Sequence, residues 1–331
     1  MSDRGSQTGT LRWGILGVGD IAQKRAAQAI IDEGNSQLVA ACRRNEAKLR
    51  EFCQRFEVPR AYQADAELIA DEDIDIVYVA TPVNLHLPQT LAAAKAGKHV
   101  LVEKPMACST TECDQMVDVC REAGVTLGVA YYRRFYPIVL RMKEIIKSGE
   151  IGIPMSVMAV TSTPLAMNPG DDGYWRVIPE ASGGGALMDM GSHRIDLFLD
   201  MFGQVVDGKA LCDTLVGDYE GEDCASVVLR FRSGVHGNLQ CFFRTNVGAD
   251  EFIITGTKGR LIASPLNRDK LIVQVNGERR TESHPPATNL HGPLVADFAE
   301  AIRTQRQPVV TGEAGRETNQ VIELAYANAN A

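Results

Sequence analysis

The side chains best suited to proton transfer lie in one helical pattern. Asp189 and His193 are four residues apart and share a helix face, and Asp196 could also reach the imidazole. A carboxylate beside an imidazole selects its tautomer and raises its basicity, as a general base requires. Such a pair is more often a surface or capping contact. The preceding run Gly183-Gly184-Gly185 favours a site, because glycines let the backbone come close to a bound molecule.

Lys104 is a second candidate for chemistry. It follows the apolar residues 100–102 and Glu103, and it precedes Pro105, which cannot continue a strand ladder. An apolar run suits a parallel strand that is covered on both faces, and the carboxyl ends of such strands face the ligand crevice of an open α/β sheet. We therefore expect Lys104 beside a ligand; the alternative is a solvated lysine at a strand end.

A cofactor-binding turn is predicted near the N-terminus. An apolar strand at 12–16 leads into Gly17-Val18-Gly19-Asp20-Ile21-Ala22, which has the Gly-x-Gly-x-x-Ala spacing of dinucleotide sites, and a helical pattern follows. The first glycine makes a tight turn, and the second lets the backbone approach a pyrophosphate. The helix start brings N–H groups to the phosphates. Candidate cofactor contacts are Gly17, Gly19, Asp20 and Ile21.

The second predicted strand, at 38–42, is followed by Arg43 and Arg44. NAD sites usually place an acid here to hold the ribose 2′-hydroxyl, whereas an arginine fork matches a 2′-phosphate. This predicts NADP(H) as the preferred cofactor. NAD(H) is the alternative if both arginines are simply solvated.

A third strand, at 74–80, ends in Thr81 and Pro82, which we expect on the same crevice side as Lys104. His86 follows at the start of a helical pattern. It is either a helix-start residue or a cofactor or substrate contact.

Strands and helices alternate over residues 11–131, which predicts a doubly wound parallel sheet of the α/β class. Ser109-x-x-Glu112 is a capping box in this part, and a buried strand is predicted at 125–131. Residues 132–331 are predicted to form a second, α+β domain with a largely antiparallel sheet, because longer strands joined by short turns replace the alternation. Its predicted strands are 155–163, 209–215, 226–231, 235–243, 252–257 and 271–275.

Composition narrows the classes of function. The 34 basic and 42 acidic residues give a formal net charge of −8 without a basic stripe, which disfavours nucleic-acid binding. No apolar run is long enough for a membrane span, and residues 1–10 have the polarity of a disordered tail without a signal peptide. The eight cysteines lack Cys-x-x-Cys or zinc spacing, so we expect no metal and a reducing, cytoplasmic environment.

From about residue 11 to about 325, the chain resembles the glucose–fructose oxidoreductase, inositol dehydrogenase and rhizopine-catabolism (Gfo/Idh/MocA) family. The segments that carry the resemblance are the glycine turn, Thr81-Pro82 with His86, Glu103-Lys104-Pro105, Arg134-Phe135, and the stretch from Gly184 to His193. The resemblance implies a Rossmann domain followed by a domain on an open, mainly antiparallel sheet. It also implies hydride exchange between a nicotinamide and a carbon of a carbohydrate or cyclic polyol.

The resemblance assigns roles to individual residues. Lys104 would polarise the reacting oxygen, His193 would take or return its proton, and Asp189 would position the substrate. Some relatives have tyrosine in place of His193, so this chain is more similar to the inositol dehydrogenase branch. Further cofactor contacts would include Glu103. Substrate contacts would include Tyr132 (often asparagine in relatives), Arg133, Trp175 and Arg176, with a plain core role as the alternative for Trp175.

Three functions stay open on the sequence alone. The first is an NADP(H)-preferring sugar or polyol dehydrogenase or reductase, and the second is a redox-neutral glycosidase or lyase that retains its cofactor and oxidises transiently. The third is a non-catalytic cofactor-binding regulatory protein. The resemblance also implies a homodimer or homotetramer formed through the C-terminal sheet.

Overall fold

The computed structural model describes residues 9–164 and 167–329. The chain forms two compact units, Met1–Tyr132 with Ala287–Arg316 and Arg133–Pro286 with Glu317–Ala331. Apart from Gly9 and Thr10, the predicted N-terminal tail lies outside the described residues. The division differs from the predicted boundary at 131/132 chiefly in assigning 287–316 to the first unit.

The first unit is built on a six-stranded sheet with every neighbouring pair parallel and the order β3-β2-β1-β4-β5-β6. This is the order of a doubly wound dinucleotide-binding sheet. Its strands are β1 (Leu11–Leu16), β2 (Ser36–Cys42), β3 (Arg60–Tyr62), β4 (Ile76–Val79), β5 (His99–Val102) and β6 (Leu127–Val129). Its helices are α1 (Ala27–Asp32), α2 (Glu46–Phe56), α3 (Asp65–Ala70), α4 (His86–Lys95), α5 (Thr110–Ala123) and the later α9 (Gly292–Arg303).

Burial explains why these short strands form. Every residue of β4, and residues 100–102 of β5, is buried, as expected for parallel strands covered on both faces. Helix α9 returns to this sheet because its apolar side finds partners there: the Phe298 ring lies 6.0 Å from that of Trp13. A Cβ on Gly128 would lie 2.8 Å from Phe298, so the glycine makes room for the helix.

The second unit is built on an eight-stranded sheet in the order β14-β13-β12-β11-β7-β10-β9-β8. All its neighbouring pairs are antiparallel except β7 with β10. Its strands are β7 (Pro154–Ser162), β8 (Val205–Asp213), β9 (Cys224–Phe231), β10 (His236–Phe242), β11 (Asp250–Gly256), β12 (Gly259–Ala263), β13 (Lys270–Val275) and β14 (Glu278–Ser283). Its helices are α6 (Pro137–Ser148), α7 (Pro179–Ser182) and α8 (Ser192–Phe202), while α10 (Gly312–Ala327) begins in the first unit and continues into the second.

One face of the second sheet is buried and the other is open to solvent. Strand β9 alternates between buried residues such as Val227 and exposed ones such as Val228. Helix α8 covers the buried face, where the ring of Phe198 lies 6.4 Å from Phe231 and 5.6 Å from Phe252. This alternation is typical of an antiparallel sheet with a single covered side.

The predicted fold class is confirmed in both parts. The capping box is confirmed as well, because Ser109 Oγ accepts the Glu112 N–H at 3.2 Å and the Glu112 carboxylate accepts the N–H of Cys108. Strands β3, β12 and β14 were not predicted. All three are short, and every residue of β14 is polar, so period-2 alternation of apolar residues is absent there.

Candidate active site

The glycine turn follows β1 as predicted. Gly17 has a φ of +85°, and a Cβ there would lie 2.7 Å from the Ala80 carbonyl oxygen, so only glycine fits. The chain then enters a helix whose first full turn, Ala22–Ala26, is π-helical before it continues as α1. Single π-helical turns are frequent at functional sites.

The space around Gly19 indicates whether this turn can accommodate a dinucleotide. Among the described residues, no atom lies within 4 Å of a Cβ placed at Gly19, so no described neighbour requires glycine there. The space is open at the position where the motif brings backbone up to a pyrophosphate. Beside it, Ile21 is half-buried, and the exposed Asp20 carboxylate accepts a hydrogen bond from Lys24 Nζ at 2.6 Å. The residues present therefore fit a nicotinamide dinucleotide.

The two predicted 2′-phosphate contacts differ in the structure. Arg43 Nη1 donates to the Val18 carbonyl oxygen at 2.7 Å, so this guanidinium braces the glycine turn. Arg44 is exposed. Asp65 also contacts the end of β2, where its carboxylate accepts from the Cys42 thiol and from Gln89.

The turn after β4 is held by its own side chains. His86 is buried, its Nε2 lies 2.9 Å from the Thr81 carbonyl oxygen, and its Nδ1 lies 3.2 Å from the carbonyls of Pro105 and Met106. Burial lowers the pKa of His86, and the carbonyl contacts oppose that shift. Both ring nitrogens thus face backbone, which supports the helix-start alternative for His86 and gives it a structural role. Pro82, half-buried, occupies the same turn.

Glu103 is also turned inward. Its Oε1 accepts the Tyr78 hydroxyl at 2.7 Å and lies 3.3 Å from Nε2 of His291, while its Oε2 accepts the backbone N–H of Lys104. Burial alone would raise the pKa of this carboxyl. The hydrogen bonds from His291 and Tyr78 and the charge of Lys104 outweigh burial, so its pKa lies below the ordinary value.

Lys104 is half-exposed between buried neighbours at the end of β5. The structure brings its segment next to the other predicted turns: a Cβ on Gly17 would touch Thr81, and His86 links Thr81 to Pro105. The carboxyl ends of β1, β4 and β5 therefore meet at one edge, as the sequence predicts. Lys104 is the basic side chain in the segments that follow these three strands.

Tyr132, predicted to contact substrate, is buried against its own unit. Its ring lies 4.6 Å from that of His291, and the guanidinium of Arg25 lies 5.0 Å from its centre. Tyr132 thus packs within the first unit, and its contact with a substrate stays a prediction.

In the second unit, a π-helical turn, Leu187–Gly191, continues into α8 and carries Asp189. His193 is buried in the first turn of α8. Asp189 and His193 therefore lie on one continuous helical segment, but the π-helical turn alters the simple four-residue spacing.

Two further predicted substrate residues accompany Asp189. Nε of Arg176 lies 4.0 Å from Oδ2 of Asp189, and its guanidinium lies 4.7 Å from the centre of the Trp175 ring. Trp175 is half-buried rather than a core residue. An aromatic face, a guanidinium and a carboxylate thus stand together, a set that can stack on a sugar ring and bind hydroxyl groups.

Asp196, suggested as a second partner of His193, is engaged by Arg134. Both of its carboxylate oxygens accept hydrogen bonds from Arg134, and burial raises the pKa of Asp196 to about 6 although Arg134 opposes the rise. Arg133, next in the chain to Arg134, is half-buried.

The glycine run has a different cause from the predicted one. A Cβ on Gly184 would lie 2.2 Å from the Tyr326 hydroxyl, and one on Gly185 would lie 2.1 Å from the Glu222 carbonyl oxygen. Glu222 also accepts the N–H groups of Gly185 and Leu187, both at 2.8 Å. The glycines therefore leave space for Glu222 and Tyr326 rather than for a bound molecule.

Sequence reasoning missed Tyr78, His291, Glu222 and Tyr326. Each is far along the chain from the residue it supports, and none belongs to a spaced motif. For His291, a lone histidine ahead of an apolar helix was the only signal.

Within residues 9–164 and 167–329, no cluster of three or more His, Cys, Asp or Glu side chains could hold a metal ion. Across the same described residues, no helix has both the length and the apolar character that a membrane crossing requires.

Comparison with known proteins agrees with this architecture. Residues 11–131 match the family described as an oxidoreductase family with an NAD-binding Rossmann fold, and residues 139–262 match the GFO/IDH/MocA C-terminal domain. Myo-inositol 2-dehydrogenase of Thermotoga maritima is 33% identical over 329 residues, which cover 96% of this chain and 95% of that protein. 1,5-Anhydro-D-fructose reductase of Ensifer adhaerens is 32% identical over 309 residues, 92% of each chain.

A solved structure is similar over nearly the full length. The aldose–aldose oxidoreductase of Caulobacter crescentus, complexed with glycerol, superposes with a TM-score of 0.87 at 29% identity and 97% coverage of both chains. Fold and site define a two-unit oxidoreductase with an NAD(P)-binding Rossmann sheet. The chain belongs to the Gfo/Idh/MocA oxidoreductase family, which confirms the resemblance found in its sequence.

Proposed function

We propose that this protein transfers hydride between NADP(H) and a hydroxyl or carbonyl carbon of a carbohydrate or cyclic polyol. The observation that carries the proposal is the full-length similarity to a myo-inositol 2-dehydrogenase together with the presence of Lys104, Asp189 and His193. The reductase relative, by its name, acts on an anhydro sugar, which belongs to the same chemical class.

The proposed chemistry divides among three side chains. When bound, a nicotinamide accepts or gives the hydride. Lys104 stabilises negative charge that develops on the reacting oxygen, and His193 takes or returns the hydroxyl proton. A well-placed base of this kind contributes about 10²–10⁴-fold to the rate. Asp189, beside Arg176, orients the substrate.

The preference for NADP(H) over NAD(H) is also a proposal. Arg43 and Arg44 follow β2, and the carboxylate of Asp65 is already engaged by Cys42 and Gln89. Because Arg43 already donates to Val18, we assign the larger part of 2′-phosphate recognition to Arg44.

We further propose that the protein acts in the cytoplasm as a homodimer or homotetramer formed through the open face of the second sheet. Leu211 on β8 is 63% exposed and Val228 on β9 is 54% exposed. The register pairs Leu211 with Ser226, two residues before Val228, so both apolar side chains project from the same face. Exposed apolar side chains on one face are typical of an association surface.

The test is a panel of sugars, inositols and glycosides offered with NADP⁺ and with NAD⁺, while the absorbance of the reduced nicotinamide and the carbohydrate products are both measured. We expect reduction of NADP⁺ with a cyclic polyol or sugar. Consumption of a glycoside without net change in absorbance would instead favour the redox-neutral reaction. Cofactor binding without turnover of any member would favour the regulatory role.

A further inference from the structure

A buried network of titratable groups lies directly behind Lys104. Its centre is Glu103, whose Oε1 is shared by the Tyr78 hydroxyl at 2.7 Å and Nε2 of His291 at 3.3 Å. Burial and the neighbouring Glu103 raise the pKa of Tyr78 well above its ordinary value, so the phenol stays a donor. An ionised carboxylate only accepts hydrogen bonds, so Nε2 of His291 must carry the proton.

His291 is fully enclosed in the first unit, with 0% of its side chain exposed. Its ring lies 4.6 Å from that of Tyr132, tilted by 32°, and in the described residues its Nδ1 has no hydrogen-bond partner. A buried polar atom without a partner destabilises the folded state. An apolar ring would therefore fill the space next to Tyr132 with a smaller loss of stability than this histidine does. Among the described residues, the one hydrogen bond of its ring is the one to Glu103.

Glu103 transmits this contact to Lys104. Its Oε2 accepts the Lys104 backbone N–H at 3.2 Å, and on the other side His86 contacts the carbonyls of Pro105 and Met106. The backbone that carries the Lys104 side chain is therefore fixed from both directions by buried imidazoles.

We propose that His291 is a positioning residue: by donating to Glu103 it fixes that buried carboxylate and so holds Lys104 in place for reaction. This inference rests on the proposed role of Lys104. The charged and titratable groups around Glu103 are Tyr78 from β4, His86 from α4, Lys104 after β5, His291 ahead of α9, and, through Tyr78, Arg25 and Tyr132.

The network has a definite pH response. Without the His291 donor, burial is the dominant influence on Glu103 and raises the pKa of its carboxyl. Glu103 then becomes protonated at a higher pH, and its neutral carboxyl group holds the Lys104 N–H less strongly. The acid limb of the kcat profile should therefore move toward neutral pH in a variant that lacks the donor.

The key variants are His291→Phe, which keeps a ring against Tyr132 but removes the donor, and His291→Gln, which keeps a neutral donor. We expect His291→Phe to lower kcat by about 10- to 100-fold, as a displaced catalytic group does, with NADPH affinity nearly unchanged and the acid limb raised. His291→Gln should restore most of kcat and the wild-type limb. His284→Gln, at a half-buried His–Glu pair in the second unit, is the matched control and should change neither.

A second readout does not depend on turnover. The loss of unfolding free energy in His291→Phe, relative to wild type, should be larger at about pH 8 than at about pH 5, because a buried carboxylate that has lost a donor is most destabilising when it is ionised. A wild-type acid limb together with a pH-independent stability loss would overturn the role of His291. If wild type turns over no substrate but the stability loss depends on pH, the proposed activity fails and the Glu103–His291 coupling stands.

Discussion

Arg134 and Asp196 form a buried ion pair in the second unit. Arg134 donates from Nη2 to Oδ1 of Asp196 at 2.7 Å and from Nε to both carboxylate oxygens at 3.0 Å. Asp196 lies three residues after His193 on α8, so the pair fixes the helix that presents the proposed base. Asp200 extends the network by accepting from Lys143 at 2.8 Å.

Replacing Arg134 should therefore be costly. Arg134→Met leaves the Asp196 carboxylate buried without its partner, and we expect a loss of about 3–5 kcal/mol in unfolding free energy near neutral pH. Urea denaturation measures it. Arg121→Met removes an exposed partner of Asp118 and should have a far smaller effect. Equal losses of unfolding free energy in the two variants would contradict a buried Arg134–Asp196 ion pair.

The loss of unfolding free energy in Arg134→Met should also depend on pH. Burial already gives Asp196 a folded-state pKa of about 6, above its unfolded value. The folded state therefore keeps this proton to higher pH than the unfolded chain does. It loses stability as the pH rises from the unfolded pKa to the folded pKa. Without Arg134 the folded pKa rises further. Urea denaturation over a pH series should therefore show a smaller penalty for Arg134→Met at about pH 5 than at about pH 8. A penalty that grows on acidification would contradict this reasoning.

The glycine run gives a sharper steric test. In Gly185→Ala the new Cβ would lie 2.1 Å from the Glu222 backbone, so the turn must shift and carry Asp189 and His193 with it. We expect at least about a 100-fold loss of kcat, because small misplacements of reacting groups are costly. Steady-state kinetics and circular dichroism measure it. Gly34→Ala, at an exposed turn where no described atom lies within 4 Å of the Cβ position and φ is not left-handed, should leave kcat unchanged.

Much of the first unit was predictable because its signals are local. Buried apolar runs and the Gly17 turn indicate strands that end at one edge, and Lys104 follows one of them, β5, in the structure. His291 could not be found in this way, since it reaches Glu103 across 188 residues of chain. Only tertiary packing of α9 brings them together.

The second unit shows a different limit. The same glycines are compatible with a bound ligand and with an intruding side chain, and sequence does not distinguish the two. Gly184 and Gly185 belong to the second case because Tyr326 and Glu222 occupy the space. The π-helical turn that carries Asp189 cannot be recognised from the sequence either, since its apolar pattern resembles that of an α-helix.

Cofactor selectivity should depend mainly on Arg44. Arg44→Asp removes a guanidinium and places a carboxylate beside the 2′-phosphate, so NADPH binding should weaken by about 10- to 100-fold, with little change for NADH. Fluorescence titration with each cofactor measures this. Arg50→Asp makes the same charge change on the exposed side of α2 and should leave the ratio intact. An unchanged ratio in Arg44→Asp would reassign phosphate recognition.

Association through the open sheet face is tested by sedimentation. Leu211→Glu places a charge among exposed apolar side chains, so the oligomer should dissociate while the fold is retained, because Leu211 is exposed in the single chain. Val247→Glu, at a similarly exposed apolar residue, should sediment as wild type. A monomeric wild type, or an oligomer that persists in Leu211→Glu, would exclude this face.

The most direct test of the proposed activity is the kcat of Lys104→Met for the best sugar or polyol, measured beside the dissociation constant for NADPH. Lys104 is half-exposed, so the fold should survive its replacement. If Lys104 acts on the reacting oxygen, kcat should fall by about 10²–10⁴-fold while NADPH still binds within about threefold of wild type. A wild-type kcat, or a loss explained entirely by weaker NADPH binding, would contradict the account.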